Sequence, residues 1–178
     1  MKKSEIRKKI FKLRRKNYSK DTQIDFKSII RILRKKGYTN KIVGGYYSYN
    51  HEVNIMPILE KLKKKKYTIS LPKIGKNSSM NFFEWSIYDP LSINQYGIPE
   101  PTTNKIIYPD ILLVPLVAYD ENNNRVGYGG GFYDRFIKRI NKIKKILTIG
   151  IAFSCQKVKK IPIEKNDIRL DVIITEKN

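Results

Sequence analysis

The run Asp110-Ile111-Leu112-Leu113-Val114-Pro115 shows no polar alternation. A strand with one wet face alternates apolar with polar residues, so a continuous apolar run of this kind belongs to a strand buried in a parallel sheet. Leu147 to Ile151 and Asp171 to Thr175 supply two more buried strands. Weaker candidates precede them: Lys41 to Tyr47, which carries two glycines, Tyr67 to Leu71, which Pro72 is expected to stop, and Asn81 to Trp85. Helical periodicity fills the intervals. Ile6, Ile10 and Leu13 fall at i, i+4 and i+7, with Ser4 as the expected cap and Lys3 and Arg7 projecting to one side. After a polar break from Asn17 to Thr22, Phe26, Ile29, Ile30 and Leu33 form a second stripe that Gly37 ends. Ile55, Ile58, Leu59 and Leu62 mark a third helix, with Pro57 in its first turn. A fourth runs to about Lys142 with Phe132, Phe136, Ile137 and Ile140 inward. Helices alternating with short apolar strands indicate an α/β fold with a largely parallel sheet.

Between these elements, Tyr88-Asp89-Pro90 reads as a turn, Gly97 to Pro101 as extended or turn-like, and Asp120 to Arg125 as a loop. There is no internal repeat and no linker long enough to divide the chain, so one domain over residues 1–178 is expected. Hydrophobic residues make up 40%, enough for one core and too much for a disordered tail. No stretch reaches the ~18 consecutive apolar residues of a membrane-spanning helix. Charge returns at Arg7, Lys8 and Lys9 where a secretory signal would turn apolar, and a cytoplasmic monomer is expected. The single cysteine, Cys155, cannot close an internal disulfide, and the single histidine, His51, removes every site that needs two imidazoles.

Lys and Arg number 37 against 16 Asp and Glu, a formal charge of +21. Alone this admits a polyanionic partner, nucleic acid first. The chain is also crowded with Lys, Ile and Asn, and its only alanines are Ala118 and Ala152, the preferences of an AT-rich coding sequence. Compositional drift with a small anionic substrate is the favoured account over nucleic acid, but charge does not settle function.

The chemistry concentrates in Arg125-Val126-Gly127-Tyr128-Gly129-Gly130-Gly131-Phe132-Tyr133-Asp134-Arg135. Glycines let backbone N–H groups turn toward one point, and the following helix directs its positive end there, which together make a phosphate cradle. Arg125 offers a planar fork to phosphate oxygens, and Asp134 a ligand for magnesium riding on them. The Gly-Lys-Ser/Thr ending of a Walker loop is missing, as is the strand-glycine-helix order of a dinucleotide fingerprint.

This segment resembles the signature of the 5-formyltetrahydrofolate cyclo-ligase family, also called methenyltetrahydrofolate synthetase, and the likeness extends over nearly the whole chain. Lys3-Ser4-Glu5-Ile6-Arg7 resembles the family's Lys-x-x-x-Arg opening. Tyr47 to Glu52 is similar to its folate-lining segment, and Leu71-Pro72-Lys73 and Ile98-Pro99-Glu100-Pro101 match its layout. Asn166 to Asp171 resembles its closing acidic motif. Two positions depart from the family: Asn166 stands where His is frequent, and Leu116 where many members have Gly.

The resemblance implies a three-layer α/β fold like that of the ribose-phosphate isomerase and CoA-transferase group. It implies conversion of 5-formyltetrahydrofolate and ATP, with magnesium, to 5,10-methenyltetrahydrofolate, ADP and phosphate through phosphorylation of the formyl oxygen. ATP would meet Lys3, Arg7 and the segment Arg125, Val126, Gly127, Tyr128, Gly129, Gly130, Gly131, Phe132 and Tyr133. Folate would meet Tyr47, Glu52, Tyr128, Gly129, Gly130, Gly131 and Phe132. Magnesium would meet Asp134 and Asp167, and Arg125 and Tyr133 would act in catalysis. Blander readings stand beside these. Lys3 and Arg7 are compatible with solvated helix charges, Glu52 with a helix cap, His51 with a surface residue, Cys155 with a small buried hydrophobe, and Asp171 with a backbone anchor. Tyr128, Phe132 and Tyr133 are read as substrate-stacking aromatics, because a glycine-rich loop gives them little to pack on.

Overall fold

A computed structural model describes residues 1–19, 22–76 and 79–177; residues 20 and 21 of the expected polar break lie outside them. The elements run α1 (Lys3–Asn17), α2 (Phe26–Lys35), β1 (Ile42–Gly44), α3 (Met56–Lys64), β2 (Thr68–Ile74), β3 (Met80–Glu84), β4 (Leu91–Ile93), β5 (Pro99–Pro101), β6 (Ile111–Pro115), β7 (Ala118–Tyr119), β8 (Arg125–Val126), α4 (Phe132–Ile140), β9 (Leu147–Ile151) and β10 (Val172–Ile174). Six of the strands form one sheet in the order β10-β9-β6-β1-β2-β3. Every neighbouring pair is parallel except β2 and β3.

The apolar run that opens the sequence argument is β6, inside the sheet. Its alternate residues serve opposite faces: Ile111 and Leu113 pack with Leu33 of α2 and Leu59 of α3, while Leu112 and Val114 pack with Phe136 and Ile140 of α4. Both faces are covered, which is why no polar residue interrupts the strand. The result is the expected three-layer α/β arrangement. Deleting one such side chain, as in Leu113→Ala, would cost about 2–5 kcal/mol.

α1 packs apart from these layers, with Ile6 and Ile10 on Val117, Ala118, Val126 and Ile161. Its cap differs from the sequence expectation. The helix starts at Lys3, Ser4 is exposed within its first turn, and the backbone N of Lys2 donates to Glu5 Oε2 at 2.9 Å. The buried stripe also continues past Leu13, which is half-buried, to a fully buried Arg14. α2 is capped by Asp25, which accepts from the Lys27 N at 3.0 Å, and Gly37 closes it as read, in a left-handed turn at φ +73°.

Pro72 does not stop β2, which continues to Ile74. Ser70 faces β1, its carbonyl accepting from the Gly45 N at 2.8 Å, and Pro72 two residues on faces the same way. β1 ends at Gly44, so no partner strand asks for the N–H that proline lacks. The next amide on that side, Ile74 N, is taken instead by Glu100 Oε1 at 2.8 Å. The β4–β5 and β7–β8 hairpins were not foreseen, being only two or three residues per strand. Asp171 anchors backbone as its bland reading has it, accepting from the Thr148 N at 2.8 Å.

Leu116 fills space beside Gly150: a Cβ built on Gly150 would lie 2.9 Å from Leu116 Cδ2. Large and small residues have complementary places there. On the far side of the sheet, β3 is itself flanked: Glu84 N donates to Lys105 O and Ile107 N to Phe82 O, each at 3.0 Å. Among the described residues no helix is long and apolar enough to cross a membrane.

Candidate active site

Strand order reverses direction at β1. From there the chain steps outward through β2 and β3, then returns to β6 on the other side and continues through β9 and β10. Loops leaving β1 and β6 therefore diverge and open a crevice beyond their carboxyl ends. A cleft of about 1180 Å³ occupies this place. It is lined by every site residue expected from the sequence: Lys3, Arg7, Tyr47, Glu52, Arg125, Val126, Gly127, Tyr128, Gly129, Gly130, Gly131, Phe132, Tyr133, Asp134 and Asp167.

One end is built from charges and backbone. Gly129 at φ +108° and Gly131 at φ +65° take left-handed conformations that side chains disfavour, folding the loop onto the start of α4. No side chain caps that helix, so its first amides are left for a ligand. Arg7 steadies the loop by donating from Nε to Gly127 O at 2.7 Å, and its guanidinium carbon lies 3.5 Å from where a Cβ on Gly129 would stand. Lys3 Nζ reaches Asp167 Oδ2 at 2.5 Å and Glu164 Oε1 at 3.3 Å. Lys3 and Arg7 thus face the cleft and are not solvated helix charges.

Arg125 is more committed than a phosphate-gripping fork. Its side chain is buried, with Nη2 on Asp134 Oδ1 at 2.8 Å and Nη1 on Ile168 O at 2.5 Å. Asp134 Oδ1 also accepts from Ile168 N at 3.0 Å. The three groups tie α4 to the closing acidic segment, and each terminal nitrogen of Arg125 carries a second hydrogen beyond these bonds.

No group of three or more His, Cys, Asp or Glu suited to a metal occurs among the described residues. Magnesium does not require one, because it keeps several waters and takes one or two carboxylates plus substrate phosphates. Asp134 and Asp167 are hard oxygen donors on the cleft wall, and their described side-chain bonds use Oδ1 and Oδ2 respectively. That donor set fits the ion when phosphate is present.

The other end is aromatic and holds the buried carboxylate of Glu52. Asn50 and His51 adopt left-handed conformations, φ +48° and +61°, and turn the chain so that Glu52 enters the cleft. Glu52 is 7% exposed, and Oε2 accepts from the Tyr49 N at 2.8 Å. It does not cap α3; Asn54 Oδ1 accepts from the Met56 N instead. Burial pushes the Glu52 carboxyl up to about 7, against the lowering pull of the Tyr49 amide, the Arg14 charge and the Tyr128 hydroxyl. Burial also raises Tyr133 far above its usual value, with the Glu52 charge adding and Arg125 opposing, so Tyr133 is a neutral hydroxyl.

The aromatics of the glycine segment do find packing partners. Phe132 and Tyr133 lean on the α4 core, and Tyr128 sits 5.4 Å from the Phe11 ring and 6.3 Å from Tyr49. α1 and the residues after β1 reach the loop from either side, which its glycine content did not reveal. His51 is exposed, and Cys155 is half-buried with its thiol raised, chiefly by burial. Sequence reading missed Arg14, which touches Tyr128, and the cleft residues Asn94 and Tyr96. Arg14 was findable, since it lies four residues after Ile10 and eight after Ile6 on the buried stripe.

A cleft at the switch point of a parallel sheet, with a glycine loop opening a helix on its wall, is the ligand-binding arrangement of α/β enzymes. Comparison with known proteins narrows this. The model of the 5-formyltetrahydrofolate cyclo-ligase family matches residues 1–176. The chain is 32% identical over 142 residues to a 5-formyltetrahydrofolate cyclo-ligase of Haemophilus influenzae, covering 75% of each. It is 34% identical over 140 residues to one of Escherichia coli, covering 75% of this chain and 76% of that protein. Its structure superposes on a 5,10-methenyltetrahydrofolate synthetase of Aquifex aeolicus with a TM-score of 0.78 at 31% identity, covering 100% of this chain and 91% of that one. For one from Mycoplasma pneumoniae the TM-score is 0.76 at 25% identity, with 99% of each covered. The chain belongs to the 5-formyltetrahydrofolate cyclo-ligase family and is a ligase of folate metabolism.

Proposed function

We propose that residues 1–178 act as one cyclo-ligase domain that converts 5-formyltetrahydrofolate and ATP to 5,10-methenyltetrahydrofolate, ADP and phosphate. The observation that carries this reading is the two-ended cleft, with a glycine loop, Lys3 and Arg7 at one end and the desolvated Glu52 at the other. A formamide carbon is a poor electrophile and its oxygen a poor leaving group. Attack of the formyl oxygen on the γ-phosphorus, with ADP departing, removes both difficulties. N10 then attacks the activated carbon, phosphate leaves with the former formyl oxygen, and the N10 proton is lost.

Such a sequence needs in-line placement and charge stabilisation more than an acid–base pair. The loop amides, Arg7 and Lys3 hold the phosphates, with Lys3 exchanging part of its pairing to Asp167 and Glu164 for phosphate oxygen. Asp134 and Asp167 would hold magnesium, which when bound neutralises phosphate charge as a Lewis acid. Arg125 orients Asp134. Glu52, when ionised, accepts from N–H donors of the pterin, with Tyr47 and Tyr128 as walls. Tyr133, which feels the charges of both Glu52 and Arg125, would act at the junction of the two substrates as a neutral hydrogen-bond donor.

The test is near-UV absorbance of purified protein with 5-formyltetrahydrofolate, with and without magnesium-ATP. An ATP-dependent rise of the extended methenyl chromophore, absent in Asp134→Ala, is expected. No rise from folded, ATP-binding protein would remove the folate assignment and leave only the phosphate cradle.

A further inference from the structure

Arg14 is 1% exposed, and among the described residues it has no carboxylate within ion-pairing distance. A buried guanidinium outside any direct ion pair, with the Glu52 carboxyl acting on it only at longer range, is expensive unless its donors are met, and here three separate segments meet them. Nη2 donates to Asn50 O at 2.6 Å and to the Tyr128 hydroxyl, and Nη1 to Leu116 O at 3.4 Å. The guanidinium carbon also lies 5.4 Å from the Phe11 ring centre and 5.6 Å from that of Tyr128.

The identity of the acceptors matters. Asn50 is the first of the two left-handed residues that turn Glu52 into the cleft, and Tyr128 stands within the glycine loop. One nitrogen of one side chain therefore holds both walls of the cleft. Arg7, by contrast, holds only the loop, through Gly127 O. We propose that Arg14 is a positioning residue that fixes the Glu52 turn and the glycine loop at one separation, so that the folate end is set relative to the phosphate end by a clamp from α1. Planarity is essential to this task, because a lysine ammonium keeps the charge but cannot span acceptors on three segments.

The clamp is independent of any substrate, whereas its effect on turnover rests on the cyclo-ligase reading. The test separates the two. In Arg14→Lys, hydrogen exchange is expected to rise together in residues 49–52 and 127–130, by about tenfold or more, with the strands at 111–115 and 147–151 unchanged. A rise in one segment alone, or an even rise across the whole chain, overturns the proposal. In the same variant KM for 5-formyltetrahydrofolate should rise by about tenfold or more, because small misplacements cost large factors. ATP affinity should fall by less than this, because Lys3 is untouched and Arg7 still holds the loop through Gly127 O. A merely structural role would lower the melting temperature and leave both constants of the folded protein unchanged. Should Arg14→Lys fail to fold, Tyr128→Phe removes the hydroxyl that accepts from Arg14 and donates to Tyr49 O at 3.4 Å, while keeping the ring on Phe11, and a paired rise in exchange is again expected. If wild-type protein shows no folate turnover, the cyclo-ligase reading falls while the exchange experiment still decides the clamp.

Discussion

The two ends of the cleft handle charge in opposite ways. At the phosphate end, cations and carboxylates are already paired: Lys3 with Asp167 and Glu164, Arg125 with Asp134. An arriving phosphate there exchanges one set of ionic contacts for another. At the folate end Glu52 is buried among aromatics and held by a backbone amide, so its ionisation is left costly until a ligand supplies donors. Paired charge gives a site that binds without large changes in protonation. A desolvated carboxylate outside any ion pair gives one whose affinity follows pH.

The sharpest way to break this contrast is Asp134→Ala. It leaves the buried Arg125 without its carboxylate, and an expected destabilisation of about 3 kcal/mol accompanies a turnover loss of about 10²–10³-fold. Chemical unfolding and magnesium-ATP titration check the two parts, and unchanged magnesium-ATP binding would mean the metal assignment is wrong.

Next in size is Glu52→Gln. Losing charge-assisted acceptance should lower folate affinity by about ten- to a hundredfold while sparing ATP. Stability should move the other way. The Glu52 carboxyl rises from 4.5 unfolded to about 7 folded, so the native state binds the extra proton and wild-type stability falls as pH climbs between them. Glu52→Gln should therefore be more stable than wild type at pH 8, by up to about 3 kcal/mol, with the difference fading below the unfolded value. Denaturant titrations at two pH values measure it. In wild type, folate binding should weaken as pH drops below about 7, as a protonated carboxyl loses acceptor capacity.

Smaller effects sharpen the phosphate end. Gly131→Ala forces a Cβ into a left-handed residue beside Arg135 Nη1, at a cost of about 1–2 kcal/mol, and ATP binding should weaken about tenfold with folate binding little changed. Smallest is Lys3→Met, where a partly exposed pairing is lost: isothermal titration should show ATP affinity reduced by about 1 kcal/mol or less. A larger loss for Lys3→Met than for Asp134→Ala would invert the proposed order of importance.

Much of this was legible because the physics is local. An uninterrupted apolar run requires a sheet covered on both faces, and β6 delivers it. A glycine cluster before a helical stripe implies exposed amides at a helix start, and the loop before α4 has them. What stayed hidden depends on contacts between distant segments. Pro72 was read as a stop because sequence cannot show that β1 ends before reaching it. That Arg125 also pairs with Asp134 and Ile168 could not be seen, because they lie 9 and 43 residues away. Arg14 could be placed on the buried stripe of α1, but its acceptors Asn50, Leu116 and Tyr128 could not, lying far off in the chain.

The flanking of β3 has a bearing on how the protein behaves when crowded. Sheets polymerise by adding strands at open edges, and the backbone groups of β3 that face outward are already partly spent on Lys105 and Ile107. At the opposite border β10 offers a template of only three residues. Strand addition is thus obstructed at one border and short of length at the other, and a surface of like charge adds mutual repulsion between copies. Such a chain can remain dispersed at concentrations where a longer bare edge would seed fibres.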